Sequence, residues 1–117
     1  MQVHAITKNI RMSAQKMREV VRQIQGLPAQ QAQAILAVVP RKSARAVAKT
    51  LKSAIANAED LKANNKQYQD LNTGKLHVKE AVAQTASTIR RFTPKARGSA
   101  GPILKRSCHV KIVLSDE

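Results

Sequence analysis

Residues 81–115 read AVAQTASTIRRFTPKARGSAGPILKRSCHVKIVLS, and this stretch decides the fold of the chain. It holds seven lysines and arginines but no aspartate or glutamate. Near both of its ends, apolar and polar residues alternate as they do in β-strands, while prolines and glycines interrupt the middle. The pattern predicts a basic hairpin arm over residues 85–107, which reaches about 30 Å if about ten residues lead out and about ten return. Because nothing within the stretch neutralises its charge, we expect a nucleic acid to surround the arm.

Three amphipathic segments before this stretch predict three helices. Ser13 stands in the N-cap position of the first helix, whose apolar residues repeat at helical spacing until Gly26 supplies a C-terminal stop. Pro28 suits the opening turn of a second helix, which ends before Pro40. The third segment, residues 41 to 61, is the longest. Its lysines and arginines lie largely off its apolar stripe, so this helix is predicted to have one basic flank.

Three short strands complete the predicted body. Residues 2–7 alternate in polarity, which is the pattern expected of a half-buried strand. Apolar residues alternate again around residues 76–81 and over residues 110–114, and these two strands flank the arm as the legs of its hairpin. The polar segment 62–74 contains asparagine residues typical of turns, and we expect it to be a surface loop.

The predicted fold class is α+β: three helices packed on a small three-stranded antiparallel sheet, with a long extended β-hairpin arm. At 117 residues the chain is long enough for one modest hydrophobic core and too short for two. We therefore expect a single domain over residues 1–117. Its globular body is formed by residues 1–84 and 108–117, and its basic arm is formed by residues 85–107.

The charge of the chain is strongly unbalanced. Lysines and arginines number 21 against seven aspartates and glutamates, and the formal net charge is +14. A domain with this imbalance repels itself and usually has an anionic partner. Acidic residues are absent from residues 20–58 as well as from the arm, so little of the charge can be neutralised within the chain.

A membrane is a poor candidate for that anionic partner. No run of about 18 apolar residues exists, as a membrane span would require. The N-terminus also lacks the basic and then apolar layout of a signal peptide. We expect a soluble, cytoplasmic protein without a membrane partner, or a protein of an organelle if the gene is organelle-encoded.

The sequence offers no recognisable site for catalysis or for a metal ion. Its acidic residues form no metal-binding or general-acid pattern, and no nucleophile stands in a motif beside a base. Cys108 and His109 are adjacent, so on a strand their side chains point to opposite faces and cannot share a metal ion. Cys108 is also the only cysteine, which excludes an internal disulfide. We expect no enzyme activity, no cofactor and no metal site.

Aromatic and glycine residues indicate how a nucleic acid would be recognised. Only Tyr68 and Phe92 are aromatic, so a platform that stacks single-stranded bases is disfavoured, and folded RNA read through its shape and phosphates is favoured. Gly98 and Gly101 match the bare G-x-x-G pattern of some RNA-binding modules. The simpler interpretation, which we favour, is that both glycines permit turn conformations at the tip of the hairpin.

A second class of protein fits the same features. Architectural DNA-binding proteins also combine helices with a basic β-arm, and Pro94 or Pro102 could act in such a protein as a wedge between base steps. Proteins of that class act as dimers on duplex DNA, whereas an RNA-bound structural protein acts as a monomer within its particle. The residues alone leave this alternative open.

Four segments of the chain resemble a known family in their order and spacing. They are RMSAQK at 11–16, SAIANAE at 53–59, PKARGSA at 94–100 and ILKRSCHV at 103–110. Together they are similar to the L-twenty-two family of large-ribosomal-subunit proteins over nearly the whole chain. The resemblance implies an α+β body with three helices on a small antiparallel sheet. It also implies a long hairpin that enters the ribosomal RNA core and lines the nascent-peptide exit tunnel.

The charge pattern and the resemblance together assign rRNA binding to residues of the body and the arm: Arg11, Ser13, Gln15, Lys16, Arg18, Arg41, Lys42, Arg45, Lys49, Lys95, Arg97, Lys105, Arg106 and His109. The resemblance places a basic pair near the tunnel constriction and assigns the tunnel lining to the arm: Arg90, Arg91, Pro94, Lys95, Ala96, Arg97 and Gly98. It implies 23S-type rRNA, neighbouring ribosomal proteins and the nascent polypeptide as partners. The chain departs from the family at residues 85–88, where the family commonly has an acidic residue and Gly-Pro.

Overall fold

A computed structural model describes all of residues 1–117. Three α-helices and five β-strands follow one another along the chain. Their bounds, in chain order, are β1 Gln2–Ile10, α1 Ala14–Ile24, α2 Ala29–Val38, α3 Lys42–Asn64, β2 His77–Thr85, β3 Ile89–Pro94, β4 Ala100–Lys105 and β5 Cys108–Ser115. Short 3₁₀ turns lie at Lys66–Tyr68, Thr73–Lys75 and Ala96–Gly98. The predicted α+β fold class is confirmed.

α1 begins and ends where the sequence predicts. The hydroxyl of Ser13 accepts a hydrogen bond from the backbone N–H of Lys16 at 3.4 Å, which makes Ser13 the N-cap. Gly26 follows the helix with a φ of +78°, a left-handed conformation that a side chain would strain. The N–H of Gly26 donates to the carbonyl of Val78, so the turn after α1 is bonded to β2. The apolar residues at helical spacing are all buried, namely Ala14, Met17, Val20, Val21 and Ile24.

β5 is the centre of a three-stranded antiparallel sheet in the order β1-β5-β2. α1 packs against β2, α3 packs against β1 and β5, and α2 packs on α3. One cluster of buried side chains between the sheet and the helices forms the hydrophobic core. Alternate residues of β5 contribute to it and are fully buried, namely Cys108, Val110, Ile112 and Leu114.

Two bulges adjust the outer strands to this core. In β2 the register shifts just after Val78, so that Val78 and Ala81 both face the helices although they are three residues apart. In β1 the register shifts between Thr7 and Ile10, where Asn9 has a φ of +58°. The strand predicted to end at residue 7 therefore continues to Ile10, because the bulge restores its pairing with β5.

Residues 62–74 are only partly the surface loop that the sequence predicts. α3 continues past its predicted end to Asn64, and two 3₁₀ turns follow. Leu71 lies between those turns with none of its surface exposed, so it anchors the segment to the core. Asn65 and Asn72 shape the turns, since each side chain accepts a hydrogen bond from the backbone N–H two residues further on.

β3 and β4 form a separate two-stranded antiparallel hairpin, from the pair Ile89 and Lys105 at its base to the pair Pro94 and Ala100 at its tip. No residue from 84 to 107 is buried. With this hairpin the molecule is elongated and measures 67 × 28 × 16 Å. None of the helices is both long enough and apolar enough to span a membrane.

The joint between body and arm lies in the segment where the chain departs from the family it resembles. The N–H of Ala86 donates to the carbonyl of Ser107 at 3.1 Å. The hydroxyl of Ser107 donates in turn to the carbonyl of Ser87 at 2.6 Å. The outgoing and returning segments therefore stay hydrogen-bonded to each other at the joint, although residues 86–88 and 106–107 belong neither to the three-stranded sheet nor to the β3–β4 hairpin.

Candidate nucleic-acid interface

A groove of about 930 Å³ lies between the start of α1 and the base of the arm. One wall comes from residues within 11–18 together with Lys42, and the other comes from Thr85 and residues 103–107. Arg11 and Arg106, which are 95 positions apart in sequence, therefore meet in one site. Many of the residues predicted to bind rRNA line this groove: Arg11, Ser13, Gln15, Lys16, Arg18, Lys42, Lys105 and Arg106.

The charge of the groove is entirely positive. Six of its lining residues are lysines or arginines, and none is an aspartate or a glutamate. The guanidinium of Arg11 donates to the backbone carbonyl of Arg106 at 3.4 Å, which joins the two walls without neutralising either residue. Facing cationic walls repel each other and attract a chain of phosphates. The groove therefore suits a nucleic-acid backbone better than a neutral ligand.

A row of cations continues the groove along α3. Lys42, Arg45 and Lys49 are spaced by three and four residues, so they lie on one face of the helix, and all three are exposed. Lys42 stands at the wall of the groove, and the row leads from there along the helix surface. The basic flank predicted for the third helix is confirmed.

Arg41 has a different environment from the neighbouring Lys42. It is the only one of the 21 lysines and arginines that forms an ion pair with a side chain, and its partner is Glu19 of α1. The pair is exposed, so it contributes little to stability. Arg41 is one of the residues predicted to bind rRNA, but Glu19 neutralises its charge. Arg41 is therefore less available to a phosphate than Lys42.

Two of the predicted rRNA-binding residues, Arg18 and His109, also hold the sheet. Arg18 Nε donates to the carbonyl of Ala83 at 3.2 Å on the outer edge of β2. His109 Nδ1 accepts the backbone N–H of Asn9 at 3.0 Å and so fixes the bulge of β1. Because Nδ1 accepts this bond, only Nε2 of the imidazole can offer a donor to a phosphate. Each of the two residues thus has part of its hydrogen-bonding capacity committed within the chain.

Arg90 and Arg91 point to opposite faces of the arm, because neighbouring residues alternate along a strand. Arg90 lies across from Leu104, and Arg91 lies across from Ile103. The guanidinium of Arg91 also donates to the backbone carbonyl of Arg90 at 3.0 Å. The two arginines therefore do not face the same wall, although the resemblance treats them as one basic pair.

The tip of the arm turns at Arg97 and Gly98, which have φ angles of +59° and +71°. The N–H of Lys95 donates to the carbonyl of Ser99 at 2.6 Å and closes the turn. Gly98 thus has the turn conformation predicted for it. The same prediction for Gly101 is wrong, since Gly101 lies in β4, and a Cβ there would come within 2.6 Å of the Lys95 side chain. Because Gly101 has no side chain, the side chain of Lys95 can lie across the hairpin.

The sequence reasoning missed the apolar residues of the interface. Ile103 and Leu104 line the groove beside the predicted cations. Phe92 has 74% of its surface exposed. The predicted arm could have indicated these residues. A two-stranded hairpin has no second layer packed on it, so the chain itself buries neither of its faces and its apolar side chains stay exposed.

The remaining reactive side chain is enclosed in the body. Cys108 is fully buried in β5, and burial raises the pKa of its thiol, which keeps it protonated and weakly nucleophilic. No three histidine, cysteine, aspartate or glutamate side chains of the chain come together in a way that could hold a metal ion. The surface instead presents lysines and arginines in the groove, along α3 and on the arm.

Comparison with known proteins gives similarity along the whole chain. The family model of ribosomal protein L22p/L17e matches residues 5–115. The large ribosomal subunit protein uL22 of Opitutus terrae is 48% identical over 116 residues, which are 99% of this chain and 96% of that protein. Proteins of the same name from Akkermansia muciniphila and Chloroflexus aggregans are 45% and 39% identical over 117 residues, which are 98% and 97% of those proteins. The chain therefore belongs to the L22p/L17e family of ribosomal proteins.

Proposed function

We propose that this chain is a structural protein of the large ribosomal subunit that binds 23S-type rRNA, helps the rRNA to assemble, and lines the nascent-peptide exit tunnel with its arm. Its family is one of ribosomal proteins and not of enzymes. The proposal places the chain in the ribosome as a monomer, beside other ribosomal proteins and the nascent polypeptide. The observation that carries it is the acid-free groove in which cations of α1, α3 and the arm meet.

The scarcity of internal ion pairs supports rRNA as the partner. Apart from the Arg41 pair with Glu19, the only salt bridges are those of the Met1 amino group. The remaining lysines and arginines repel one another in a chain whose net charge is +14. Binding to phosphates would offset this repulsion, with arginine as a bidentate donor and lysine as a point charge.

The elongated shape supports a role in rRNA assembly. The groove and the α3 row present cations on the body, while Lys95 and Arg97 present cations at the far end of the arm. These two surfaces belong to one molecule with a longest dimension of 67 Å. A single protein could therefore hold together RNA segments that are distant in the rRNA sequence. This function is architectural, and no bond is made or broken.

The tunnel role is supported by the form of the arm. The arm is one layer thick, and residues 94–100 at its tip are exposed on all sides. A thin basic hairpin can pass between RNA segments and still leave one face free. Arg90 and Arg91 lie on opposite faces, so one of them would contact rRNA while the other would face the tunnel.

Equilibrium binding to protein-free 23S-type rRNA over a salt series tests the rRNA part of the proposal. If six to ten phosphates are contacted, the affinity should fall by about a thousandfold or more between 50 and 200 mM salt. The double variant Lys105→Gln/Arg106→Gln should lower the affinity and reduce the salt slope by about two, because two groove contacts are lost.

The variant Lys62→Gln/Lys66→Gln is the matched control, because it also removes two exposed cations but neither of them lines the groove. It should leave the affinity close to that of the parent. Equal losses in both double variants would show that only total charge matters and would contradict the groove as the site. Tighter binding to duplex DNA than to rRNA at equal salt would favour the architectural DNA-binding alternative.

Photocrosslinking in assembled ribosomes tests the tunnel part. A photoreactive residue is placed at position 90 in one variant and at position 91 in another, in ribosomes that hold a stalled nascent chain. We expect one position to crosslink to the nascent polypeptide and the other to rRNA, because the two positions lie on opposite faces. Crosslinks to rRNA alone from both positions would contradict the tunnel role.

A further inference from the structure

The two faces of the arm present different side chains. Residues at every second position share a face, and we name one of them the Phe92 face. It consists of Arg90, Phe92, Pro94, Ala100, Pro102 and Leu104. Apart from Arg90, this face carries only apolar side chains. Phe92 lies at its centre, directly across from Pro102.

No part of the chain covers Phe92 at the centre of this face, while Leu104 at its base lines the groove. Phe92 is 74% exposed and Leu104 is 46% exposed. Exposed apolar clusters rimmed by charge are typical of interaction sites. The face is nevertheless small, since its six residues are far fewer than the roughly 20–30 that each side of a stable protein interface contributes. A compact ligand group fits it better than a folded protein partner.

The charges around the Phe92 face select an anionic ligand. Arg90 lies on the same face as Phe92, two residues or about 6.6 Å away along the strand. No carboxylate occurs between residues 81 and 115. A nucleotide combines a planar base with a phosphate held beside it, and this matches a phenyl ring with a guanidinium beside it. A nascent polypeptide varies in sequence, so it does not present an anion at one constant distance from an apolar group, and it matches the face less well.

We propose that the Phe92 face binds one unpaired nucleobase of the large-subunit rRNA, which stacks on the Phe92 ring while Arg90 binds an adjoining phosphate. The proposal rests on the proposed function, because it requires the arm to lie within rRNA. It goes further, since cations alone bind phosphates whether or not the bases are paired, whereas a base that stacks on a side chain must leave its helix. One aromatic residue holds one base, in agreement with the lack of a multi-base platform.

The alternation along the arm then assigns the opposite face as well. Arg91 shares that second face with Ile103, on the side away from Phe92. If the Phe92 face is occupied by a base, the Arg91 side is the one left for the nascent polypeptide. The stacking proposal thus selects position 91 as the one that crosslinks to the nascent chain.

Tryptophan fluorescence provides a direct test. The chain has no tryptophan, so Phe92→Trp introduces a single fluorophore at the proposed site. Stacking on a nucleobase quenches tryptophan emission, and we expect the emission of this variant to fall when it binds protein-free 23S-type rRNA. Val38→Trp is the matched control, because Val38 is 78% exposed at the end of α2, in a stretch without lysine or arginine. Its emission should not change.

Affinity measurements complement the fluorescence. Phe92 lies outside the core, so its substitution leaves the body folded. Phe92→Ala should weaken rRNA binding by about tenfold without changing the salt slope, because stacking is lost but no phosphate contact is. Phe92→Leu keeps the apolar bulk but cannot stack, and it should be nearly as weak. Full affinity of Phe92→Leu would overturn the stacking proposal.

The outcomes separate this proposal from the one it rests on. If Phe92→Trp binds rRNA with the affinity and salt dependence of the parent but its emission is unchanged, the stacking proposal is wrong and rRNA binding stands. If neither the parent nor the variant binds rRNA, the proposed function itself fails. The third outcome concerns Phe92→Trp in assembled ribosomes. If its emission is not quenched in ribosomes without a nascent chain and changes only when a nascent chain is present, a peptide occupies the Phe92 face and the stacking proposal is overturned.

Discussion

Thr7 and Thr50 form a hydrogen bond of 2.7 Å between their hydroxyls, which links β1 to α3. Thr50 is fully buried and also bonds the carbonyl of Ala46 at 2.9 Å, whereas Thr7 is half-buried. Thr50→Val keeps the shape of the side chain but leaves the Thr7 hydroxyl without this partner. We expect the free energy of unfolding, measured by urea denaturation, to fall by about 1–2 kcal/mol.

The double variant Thr7→Val/Thr50→Val is the control for this prediction. It removes both hydroxyls, so neither is left unpaired at the contact. Its loss of stability should therefore be smaller than the sum of the losses in the two single variants. Strict additivity would show that the hydroxyls do not interact.

Asp116 should make stability depend on pH in the acid range. Its carboxylate accepts hydrogen bonds from the Met1 amino group at 2.9 Å and from the backbone N–H of Asn72 at 3.1 Å. These bonds, chiefly the one from Met1, lower the pKa of Asp116 below its usual value of 3.8. Because the folded state then binds the proton less tightly, this stabilisation is present above the unfolded pKa and is lost as the pH falls through the folded pKa.

We therefore expect the stability difference between the parent and Asp116→Asn to be constant from about pH 5 to about pH 8 and to disappear in strong acid. It should also shrink in alkali, because the Met1 amino group, whose pKa Asp116 raises above its usual value, then loses its proton. Urea denaturation at a series of pH values measures it. The same comparison at several salt concentrations separates this local contribution from the general repulsion of the cations, which salt screens. A difference that stays the same down to the acid limit would contradict the role of Asp116.

At the residue scale, the sequence predicts which side chains are charged but not what they contact. Arg41 and Glu19 are 22 residues apart, and their ion pair depends on how α1 and α3 pack. His109 is half-buried, and its bond to Asn9 depends on a bulge that no local pattern indicates. The cationic character of the groove was predictable, whereas the part of it that is committed to internal bonds was not.

At the element scale, the strands of the arm should be far less protected than those of the body. The β3–β4 ladder has no packed layer on either face, and an isolated two-stranded hairpin is marginal in water. β5 is bonded on both sides and is buried under the helices. In the free protein we expect the amides of β3 and β4 to exchange rapidly, and those of β5 only on global unfolding.

Hydrogen exchange followed by NMR or mass spectrometry measures this difference. Binding to rRNA should slow exchange in β3 and β4 and leave β5 unchanged, because phosphates neutralise the arm and hold it in place. Equal protection of β3 and β5 in the free protein would mean that the arm is rigid without its partner.

The sequence predicts the elements better than their ends. α3 was predicted to stop at residue 61, but Lys62 and Ala63 are good helix formers and no glycine or proline follows them, so the helix continues to Asn64. Leu71 is the one buried residue of a polar stretch, and its burial depends on the path of the chain over the core. The alternation around residues 76–81 predicts β2, but the bulge after Val78 interrupts the alternation, so the pattern does not indicate that the strand continues to Thr85.

At the scale of the whole molecule, the body should fold without the arm. Every core residue lies before residue 84 or after residue 107. Replacing residues 88–106 by a short glycine-containing turn would leave β2 and β5 as an ordinary hairpin and would remove several mutually repelling cations. We expect the midpoint of thermal unfolding, measured by circular dichroism, to stay close to that of the parent. A large decrease would show that the arm belongs to the cooperative unit.

The groove shows what sequence reasoning reaches at this scale. Charge predicts a nucleic-acid partner, and the four segments that resemble the L-twenty-two family predict the family. Neither predicts that residues 11–18 and 103–107 form opposite walls of one site. That arrangement follows from the antiparallel pairing of β1 with β5, which brings the residues after β1 next to the residues before β5.

The order of the strands also has a consequence for biosynthesis. β5 is the last element in chain order, yet it lies between β1 and β2, and the pair Gln2 and Ser115 joins opposite ends of the chain. Neither β1 nor β2 has a partner in the sheet until β5 has been translated. Contacts of such long range slow folding. The body should therefore not close until β5 is available, and a copy that lacks β5 should remain unfolded and exposed to proteolysis.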